Sequence, residues 1–350
     1  MPRRLIFVAC LFFGLTAGDW LACRALMSTM REQFKHWVQS LRNQGFTVTY
    51  HDLQGSYAPW SVRLIVPDLS VSGGKAMLPG GLNWHAERLD LSLSLLNPAT
   101  LTVTPAGEQA LKAAGAPGIV FFADRLDAVV PLYTSRPDEI DVAAEGLVGS
   151  LAAAPQHQDL RIASLQLSLQ AARGGAARTT ARLSAAARGV GLPDNGRWPL
   201  GATINRFDVD LSLASPALSG DAPAEQARAW RDWGGVLTVQ SLELRWGPLN
   251  LEGAAELGLD EHLQPSGKGQ ARVGGWAATL DALARGGTIQ PGVAQTAKAV
   301  LALMARPAQD NPGGEILELP FTLQDSTLSV GKIPLMRFGE VVWGGGPPQP

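Results

Sequence analysis

"RDWGGVLTVQSLELRWGPLNLEGAAELGLD", residues 231–260, alternates large apolar and polar side chains, breaks at Trp246-Gly247-Pro248, and alternates again. Successive side chains of a strand point to opposite faces, so Leu242, Leu244 and Trp246 share one face, and Leu249, Leu251 and Leu257 follow on the return. Glycine and proline at the break suit a tight reversal. Leu237 and Val239 carry odd numbers, whereas Leu242, Leu244 and Trp246 carry even ones. That change of phase predicts a β-bulge near Gln240-Ser241, because a one-residue slip otherwise turns a strand's apolar set to the wrong side. A third strand is predicted over Gly267–Val273, reached through a loop holding Pro265. The stretch holds no histidine, cysteine or glycine-rich phosphate loop.

The same unit recurs outward. Phe46, Val48 and Tyr50 alternate, as do Trp60, Val62, Leu64 and Val66, with Leu69 and Val71 beyond Pro67. Leu89, Leu91, Leu93 and Leu95 precede a turn at Asn97-Pro98 and a return at Leu101 and Val103. Phe207, Val209, Leu211 and Leu213 precede Pro216, and Leu165, Leu167 and Leu169 are a weaker copy. Repeated antiparallel hairpins are the reading. Two helical insertions interrupt them. "DAPAEQARAW" offers Asp221 as N-cap with a proline in the first turn, ending at Gly234. Residues 276–306 predict two helices split at Gly286-Gly287, the second turning Val293, Ala297, Val300, Leu301 and Met304 inward.

Composition agrees with a strand-and-turn protein. Glycine (39) and proline (24) are plentiful, and charged residues are 17% against roughly 25% in an average soluble domain. A net charge of −2 without basic clusters longer than a dipeptide argues against a nucleic-acid partner. Cys10 and Cys23 both lie near the N-terminus, which leaves the rest without disulfide or thiolate chemistry.

The N-terminus sets the expected compartment. Arg3 and Arg4 precede an apolar run from Leu5 to about Cys23, broken only by Asp19. That is the form of a secretory signal or an uncleaved anchor, and about 20 helical residues suffice to span a bilayer. Thr16-Ala17-Gly18 is an acceptable cleavage site. However, Leu26, Met30, Phe34, Trp37 and Leu41 continue a helical period to Gly45, with Arg31, Lys35 and Arg42 opposite. The simpler expectation is one helix: a single-pass membrane anchor over 1–23, then an amphipathic stalk over 24–45. Arg3 and Arg4 would keep the start of the chain cytoplasmic and place everything after about residue 24 outside. Both thiols are expected among apolar neighbours rather than lipidated.

The fold class expected is therefore mainly β with helical insertions: an anchor and stalk helix, then a curved antiparallel sheet forming a groove, half-barrel or sandwich, and a helix pair near the C-terminus. The β-rich region is divided into 46–220 and 221–342, the latter with helical insertions 221–233 and 276–306, and a disordered tail follows at 343–350. Residues 170–189, "QAARGGAARTTARLSAAARG", are alanine-rich, and their strand register is hard to assign.

At this point the chain resembles the bacterial envelope family known as domain of unknown function 2125. The likeness rests on Trp37 and Gly45-Phe46, Gly55 with Pro59-Trp60, Trp84-His85-Ala86 before Leu89-Asp90-Leu91, and Trp230…Trp233-Gly234-Gly235 leading to Trp246-Gly247-Pro248-Leu249. It extends through the helix pair to Leu319-Pro320, Val330-Gly331 and Pro334-Leu335. The resemblance implies a β-rich domain tethered by a single pass to a bacterial inner membrane, with the bulk of the chain in the periplasm, no known activity and no catalytic residues to assign. In style, the leucine hairpins also look like those of AsmA-like envelope proteins, associated with lipid traffic and outer-membrane assembly.

Individual motifs point away from catalysis. Ser72-Gly73-Gly74-Lys75 matches an S-x-x-K pattern, but two glycines fill the gap where a helix is required and no K-T-G partner follows. "GGKAMLPGG" lacks phosphate-loop spacing. His51-Asp52 would place an acid beside an imidazole, yet adjacent strand residues face apart. Asp138, Glu139 and Asp141 are expected on a solvated turn. No metal-ligand spacing occurs, and no cofactor is expected. Trp84, Trp230, Trp233, Trp246 and Trp276 are expected to seal element ends rather than bind sugar. Two readings stay open: a leucine-lined groove that binds or passes envelope lipid, or a non-enzymatic assembly factor acting through other envelope proteins, with the leucines closed in a core. An enzyme ranks third, for want of convergent polar groups.

Overall fold

The computed structural model describes residues 2–73, 81–113, 118–132, 139–151, 159–174, 178–193, 198–216, 223–307, 315–331, 333–341 and 343, with backbone alone for 2–22. It opens with helix α1 (Pro2–Asn43). Strands β1 (Phe46–Thr49), β2 (Gln54–Ala58), β3 (Ser61–Gly73), β4 (Leu82–Ser94) and β5 (Asn97–Ala113) follow. Next come β6 (Ile119–Phe122), β7 (Arg125–Pro131), β8 (Glu139–Leu151), β9 (Leu160–Gly174), β10 (Arg178–Gly191) and β11 (Thr203–Pro216). Helix α2 (Pro223–Asp232) precedes β12 (Val236–Trp246), β13 (Leu249–Leu259) and β14 (Pro265–Gly274). Helices α3 (Trp276–Arg285) and α4 (Pro291–Ala302) lead to β15 (Arg306–Pro307), β16 (Glu315–Gln324), β17 (Thr327–Val330) and β18 (Ile333–Arg337).

All eighteen strands belong to one sheet. Every pairing is antiparallel, and nearly every strand lies beside its neighbour in sequence. β1 and β2 share one edge of β3; β6 and β7 both bridge β5 to β8. The register continues directly from β11 to β12, so the expected regions 46–220 and 221–342 are parts of the same sheet. No pairing among the described residues joins β18 back to the first strands. Among the described residues the pairings form one antiparallel meander.

Register places the apolar alternation on one face throughout. Val62, Leu64 and Val66 oppose Leu93, Leu91 and Leu89, which oppose Leu101, Val103 and Pro105. Val142 opposes Leu167, which opposes Ala185, then Val209, then Leu242. In the alanine-rich 170–189 region β9 and β10 pair in unbroken register within this series, residues 175–177 lying outside the described residues. The bulge predicted at Gln240-Ser241 is present: β12 skips between Val239 and Leu242 against β13, and Leu237, Val239, Leu242 and Leu244 thereby stay on the apolar face. The turn expected at Asn97-Pro98 falls earlier, at Leu95-Leu96, because Asn97 already pairs with Ser94.

A transverse crease crosses the sheet from β3 to β11. In β3 the buried set runs Val62, Leu64, Val66 and resumes at Leu69 and Val71, changing phase at Asp68 (φ 52°). The same row carries Gly107 (φ 77°), Gly146 (φ 60°) and Gly189 (φ 59°) in β5, β8 and β10. At Gly107 and Gly146 the carboxylates of Glu87 and Asp124 occupy the space that a Cβ would need. Glu87 Oε2 also accepts the Glu108 amide at 3.1 Å. Only glycine satisfies both the positive φ and the close approach.

The core lies at one side of this sheet. The second half of α1 packs on β1 and β3, burying Cys23, Met27, Met30, Phe34 and Val38 against Val48, Val62, Leu64, Val66, Leu69, Ala86 and Leu89. The expected stalk is therefore a docked helix, and its inward stripe is 23/27/30/34/38 rather than 26/30/34/37/41. Leu26 and Leu41 are half-buried at the margins, and Trp37 is exposed. Arg42 does not point away; its Nη2 donates to the Val48 carbonyl at 2.7 Å. Cys23 sits in the core, with its thiol donating to the Ser61 carbonyl at 3.9 Å.

The helical insertions form, with differences. α2 lies within the expected 221–233, Asp221 falling outside the described residues. α3 and α4 split at Gly286-Gly287, but α4 ends at Ala302 and Arg306 belongs to β15. The buried position of α4 is Ala294, with Ala297 and Leu301 half-buried. Val293, Val300 and Met304 are exposed, contrary to the inward face expected for them. An alanine admits the close approach of α3 that a valine would block.

Candidate functional site

The apolar face beyond the α1 core is the feature most in need of a partner. Among the described residues, close helix–strand packing falls on β1 and β3 (from α1) and on β13 (from α2 and α3). Across β7–β12 the face continues with Leu126, Ala128, Ile140, Val142, Leu165, Leu167, Leu183, Val209, Leu211, Leu242 and Leu244, without one charged or hydrogen-bonding side chain among them. These residues are half-buried by one another rather than enclosed, and Leu169 and Phe207 on the same face are 43% and 37% exposed. With strands ~4.8 Å apart and same-face residues ~6.8 Å apart, six strands of about four such residues present roughly 800 Å² of apolar surface, above the roughly 300–600 Å² of a typical monomer's largest patch. Leu91, near α1, and Leu244 and Leu251, far from it, are all half-buried. The leucine surface is thus closed under α1 and again at β16, where Leu317, in register with Val273 and Leu251, is buried; between them its large side chains are only half-buried.

The opposite face is polar and carries two adjacent cross-strand ranks. One holds Asp90, Thr104, Gln166, Asp208 and Glu243; the next holds Arg88, Arg125, Arg188, Arg206 and Arg245. Ion pairs connect them: Arg88 to Asp90 (3.1 Å), Arg125 to Asp127 (2.6 Å), Arg206 to Asp208 (2.6 Å) and to Glu243 (3.0 Å), and Arg245 to Glu243 (2.9 Å). Arg188 binds Asp208 with both guanidinium nitrogens. The Asp208 carboxyl is held below the usual carboxylate range by Arg188, against an opposing push from burial, with Arg206 adding to the effect. Burial pushes the Asp127 carboxyl up, but the Thr104 hydroxyl and the Arg125 guanidinium outweigh it and hold it low. The hydroxyls of Ser184 and Ser241 lower that of Asp210. A concavity of about 690 Å³ opens on this polar face, lined by Asp127, Asp141, Ser168, Ser184, Asp208 and Asp210 among others. Asp127 and Asp208 there are paired with arginines and Asp210 accepts from serine hydroxyls, and no histidine lines the concavity.

The motifs singled out earlier do not converge. His51 Nδ1 lies 3.1 Å from Asp68, not beside Asp52, and His85 Nε2 lies 3.7 Å from the other Asp68 oxygen, all three side chains largely solvated. Ser72 and Gly73 are the last two residues of β3, while Gly74 and Lys75 lie outside the described residues, as does most of "GGKAMLPGG". Glu139 and Asp141 are not on a turn: both belong to β8, on its polar face, and Asp138 lies outside the described residues. Among the described residues, no group of three or more His, Cys, Asp or Glu is placed to hold a metal ion.

The tryptophans fasten element ends. Trp276 is buried, and the indole N–H groups of Trp230 and Trp246 donate to the carbonyls of Ala214 (2.9 Å) and Gly201 (2.7 Å). Trp84 donates to Gln109 at 3.3 Å. Trp233 is 39% exposed. At the start of the expected tail, Trp343 donates to the Leu263 carbonyl at 2.7 Å, so the tail's first residue is fastened; 344–350 lie outside the described residues. The polar-face ranks escaped the sequence reading, although Arg-x-Asp spacing at 88/90, 125/127 and 206/208 signals them, since residues two apart on a strand share a face.

Among the described residues no helix is long and apolar enough to cross a membrane; the side chains of 2–22 are outside that description. Comparison with curated proteins and with solved structures finds no significant match. A family model does match, over residues 25–338, which takes in the docked half of α1 and nearly all of the sheet. The chain belongs to the family described as an uncharacterized protein conserved in bacteria, domain of unknown function 2125.

Proposed function

We propose that this protein is a membrane-anchored, periplasmic lipid-binding scaffold without enzymatic activity, and that acyl chains lie on the leucine face of β7–β12. The observation that carries the reading is that, among the described residues, the middle of this face holds only apolar residues and no helix packs closely upon it, with Arg173, Thr179 and Ser215 entering the register only at its margin. An acyl chain requires only apolar contact, and each methylene removed from water contributes about 0.8 kcal/mol. A protein partner at such a patch generally finds aromatic or arginine anchors, and in the middle of β7–β12 this face presents few of those types, Phe207 and Trp246 among them. The apolar run Leu5–Cys23 supports tethering, and Arg3-Arg4 supports an orientation that leaves the sheet in the periplasm. The ion pairs of the opposite face bind one another rather than a reacting group, which supports a non-enzymatic role.

The experiment is native mass spectrometry of the full chain extracted in mild detergent. Retained phospholipid is expected, and Leu167→Glu should abolish it while leaving the protein folded. Repeated absence of lipid from the wild-type chain removes the proposal. A second reading, an assembly factor that contacts other envelope proteins, is favoured by the exposed stripe Val293, Val300, Leu303 and Met304 on and just after α4.

A further inference from the structure

The docking of α1 fixes which end of the sheet faces the anchor. Cys23 meets Ser61, the first residue of β3, whereas the C-terminal end of α1 lies by the other end of that strand, where the Gly73 backbone approaches Gly45. The helix therefore runs along β3 from Ser61 toward Gly73. Its earlier half continues as helix past the Ser61 end, and 21 residues at ~1.5 Å each extend roughly 30 Å beyond it. Three tips cluster at that end. The Leu95 amide donates to the Trp60 carbonyl at 2.8 Å, and the Leu132 amide donates to the Ala99 carbonyl at 2.7 Å.

Those tips are apolar and exposed. Leu96 is 78% exposed, and Tyr57, Trp60 and Leu132 are also exposed. Residues 57–61 and 94–101 contain no charged side chain, whereas the connection that follows Leu132 carries Arg136 and Asp138 in its sequence. Tips of β-hairpins in water ordinarily carry Gly, Asn, Asp or Ser, so a leucine at this exposure needs a reason. Trp and Tyr prefer the boundary between acyl chains and headgroups, and leucine prefers the layer just below. Farther along the same end the character changes, with Asp232, Glu261 and Asp325 beside the tips of β12, β13 and β16.

We infer that the uncharged tips Tyr57–Trp60 and Leu95–Leu96, with Leu132 beside them, rest in the headgroup layer of the membrane from which α1 emerges. The sheet then stands on the bilayer with its strands leading away from it, and the leucine face of β7–β12 begins at the lipid surface. The inference rests on the anchor reading proposed above, and it adds a second, peripheral contact made by the sheet itself.

The test uses the full chain with Cys10 and Cys23 replaced by serine and alanine, reconstituted into phosphatidylcholine–phosphatidylglycerol nanodiscs. Single cysteines at Leu96, Leu132 and Leu303 carry an environment-sensitive fluorophore. Leu303, 88% exposed, follows α4 at the opposite end of the sheet and serves as the distant control. The labels at 96 and 132 should be blue-shifted and quenched by spin-labelled lipid, and the label at 303 should be neither. If the protein stays in the nanodisc but all three labels remain wet and unquenched, the tip contact is wrong and the anchor stands. If the protein does not remain with the disc, the anchor and the contact both fall.

Discussion

β3–β4 and β9–β11 are built from the same alternation, yet they end in different environments. Leu64, Val66 and Leu69 are fully buried beneath α1, while Leu165, Leu167 and Val209, in equivalent places farther along the same face, stay half-buried with no helix upon them. Their sequences do not differ in apolar content; the difference is whether α1 reaches them. A leucine face therefore becomes a core only where a second layer covers it. The uncovered remainder must find another apolar neighbour or stay exposed at a cost.

Truncation should separate the two regions most sharply. Leu64→Ala removes a side chain enclosed by α1 and three strands, and denaturant unfolding should show a loss of about 2–5 kcal/mol. Leu167→Ala, on the open face, should cost about 1 kcal/mol or less in the same titration. Equal losses at the two positions would mean that something encloses Leu167 in solution as α1 encloses Leu64.

The crease common to both regions offers the next largest effect. Gly146→Ala forces a side chain into a positive φ and into the Asp124 carboxylate, so a loss of about 1–3 kcal/mol is expected. Gly292→Ala in α4, where a Cβ meets nothing, is the control and should be neutral or slightly stabilising. A neutral Gly146→Ala would show that the crease is not held by this residue.

How much of this was legible follows from what each feature needs. The alternation and the bulge at Gln240-Ser241 are written in the spacing of Leu237, Val239, Leu242 and Leu244, because strand period and burial leave one consistent solution. The inward stripe of α1 was less legible. Trp37 and Val38 are both apolar neighbours, and only the position of β3 decides that Val38 goes in and Trp37 out. In α4 the small Ala294 displaced the larger Val293 for the same kind of reason: contact with α3 is decided by fit, not hydrophobicity. Which leucines stay uncovered could not be read at all, since a core and an open apolar face require the same residues. The ion-pair ranks were readable from the Arg-x-Asp spacing but carry no catalytic signature.

The smallest effect concerns those ranks. The Asp208 carboxyl titrates lower in the folded state than in the unfolded chain, mainly through Arg188. Its contribution is thus present above the unfolded value of about 3.9 and is lost as pH falls through the lower folded value. Asp208→Asn should cost below about 1 kcal/mol at neutral pH, because the pair is partly solvated, and the difference from wild type should begin to shrink only as pH falls below about 4 and vanish once the folded carboxyl is protonated. A difference that grew on acidification would have the wrong sign for this pairing.

The central claim is that the leucine face of β7–β12 is open and meets lipid. A photo-crosslinking amino acid placed at Leu167 in cells tests it most directly, with Leu64 as the enclosed reference. The account predicts phospholipid adducts at Leu167 and only intramolecular products with α1 at Leu64. Adducts at Leu167 confined to the chain itself or to other proteins, with no lipid among them, would contradict it.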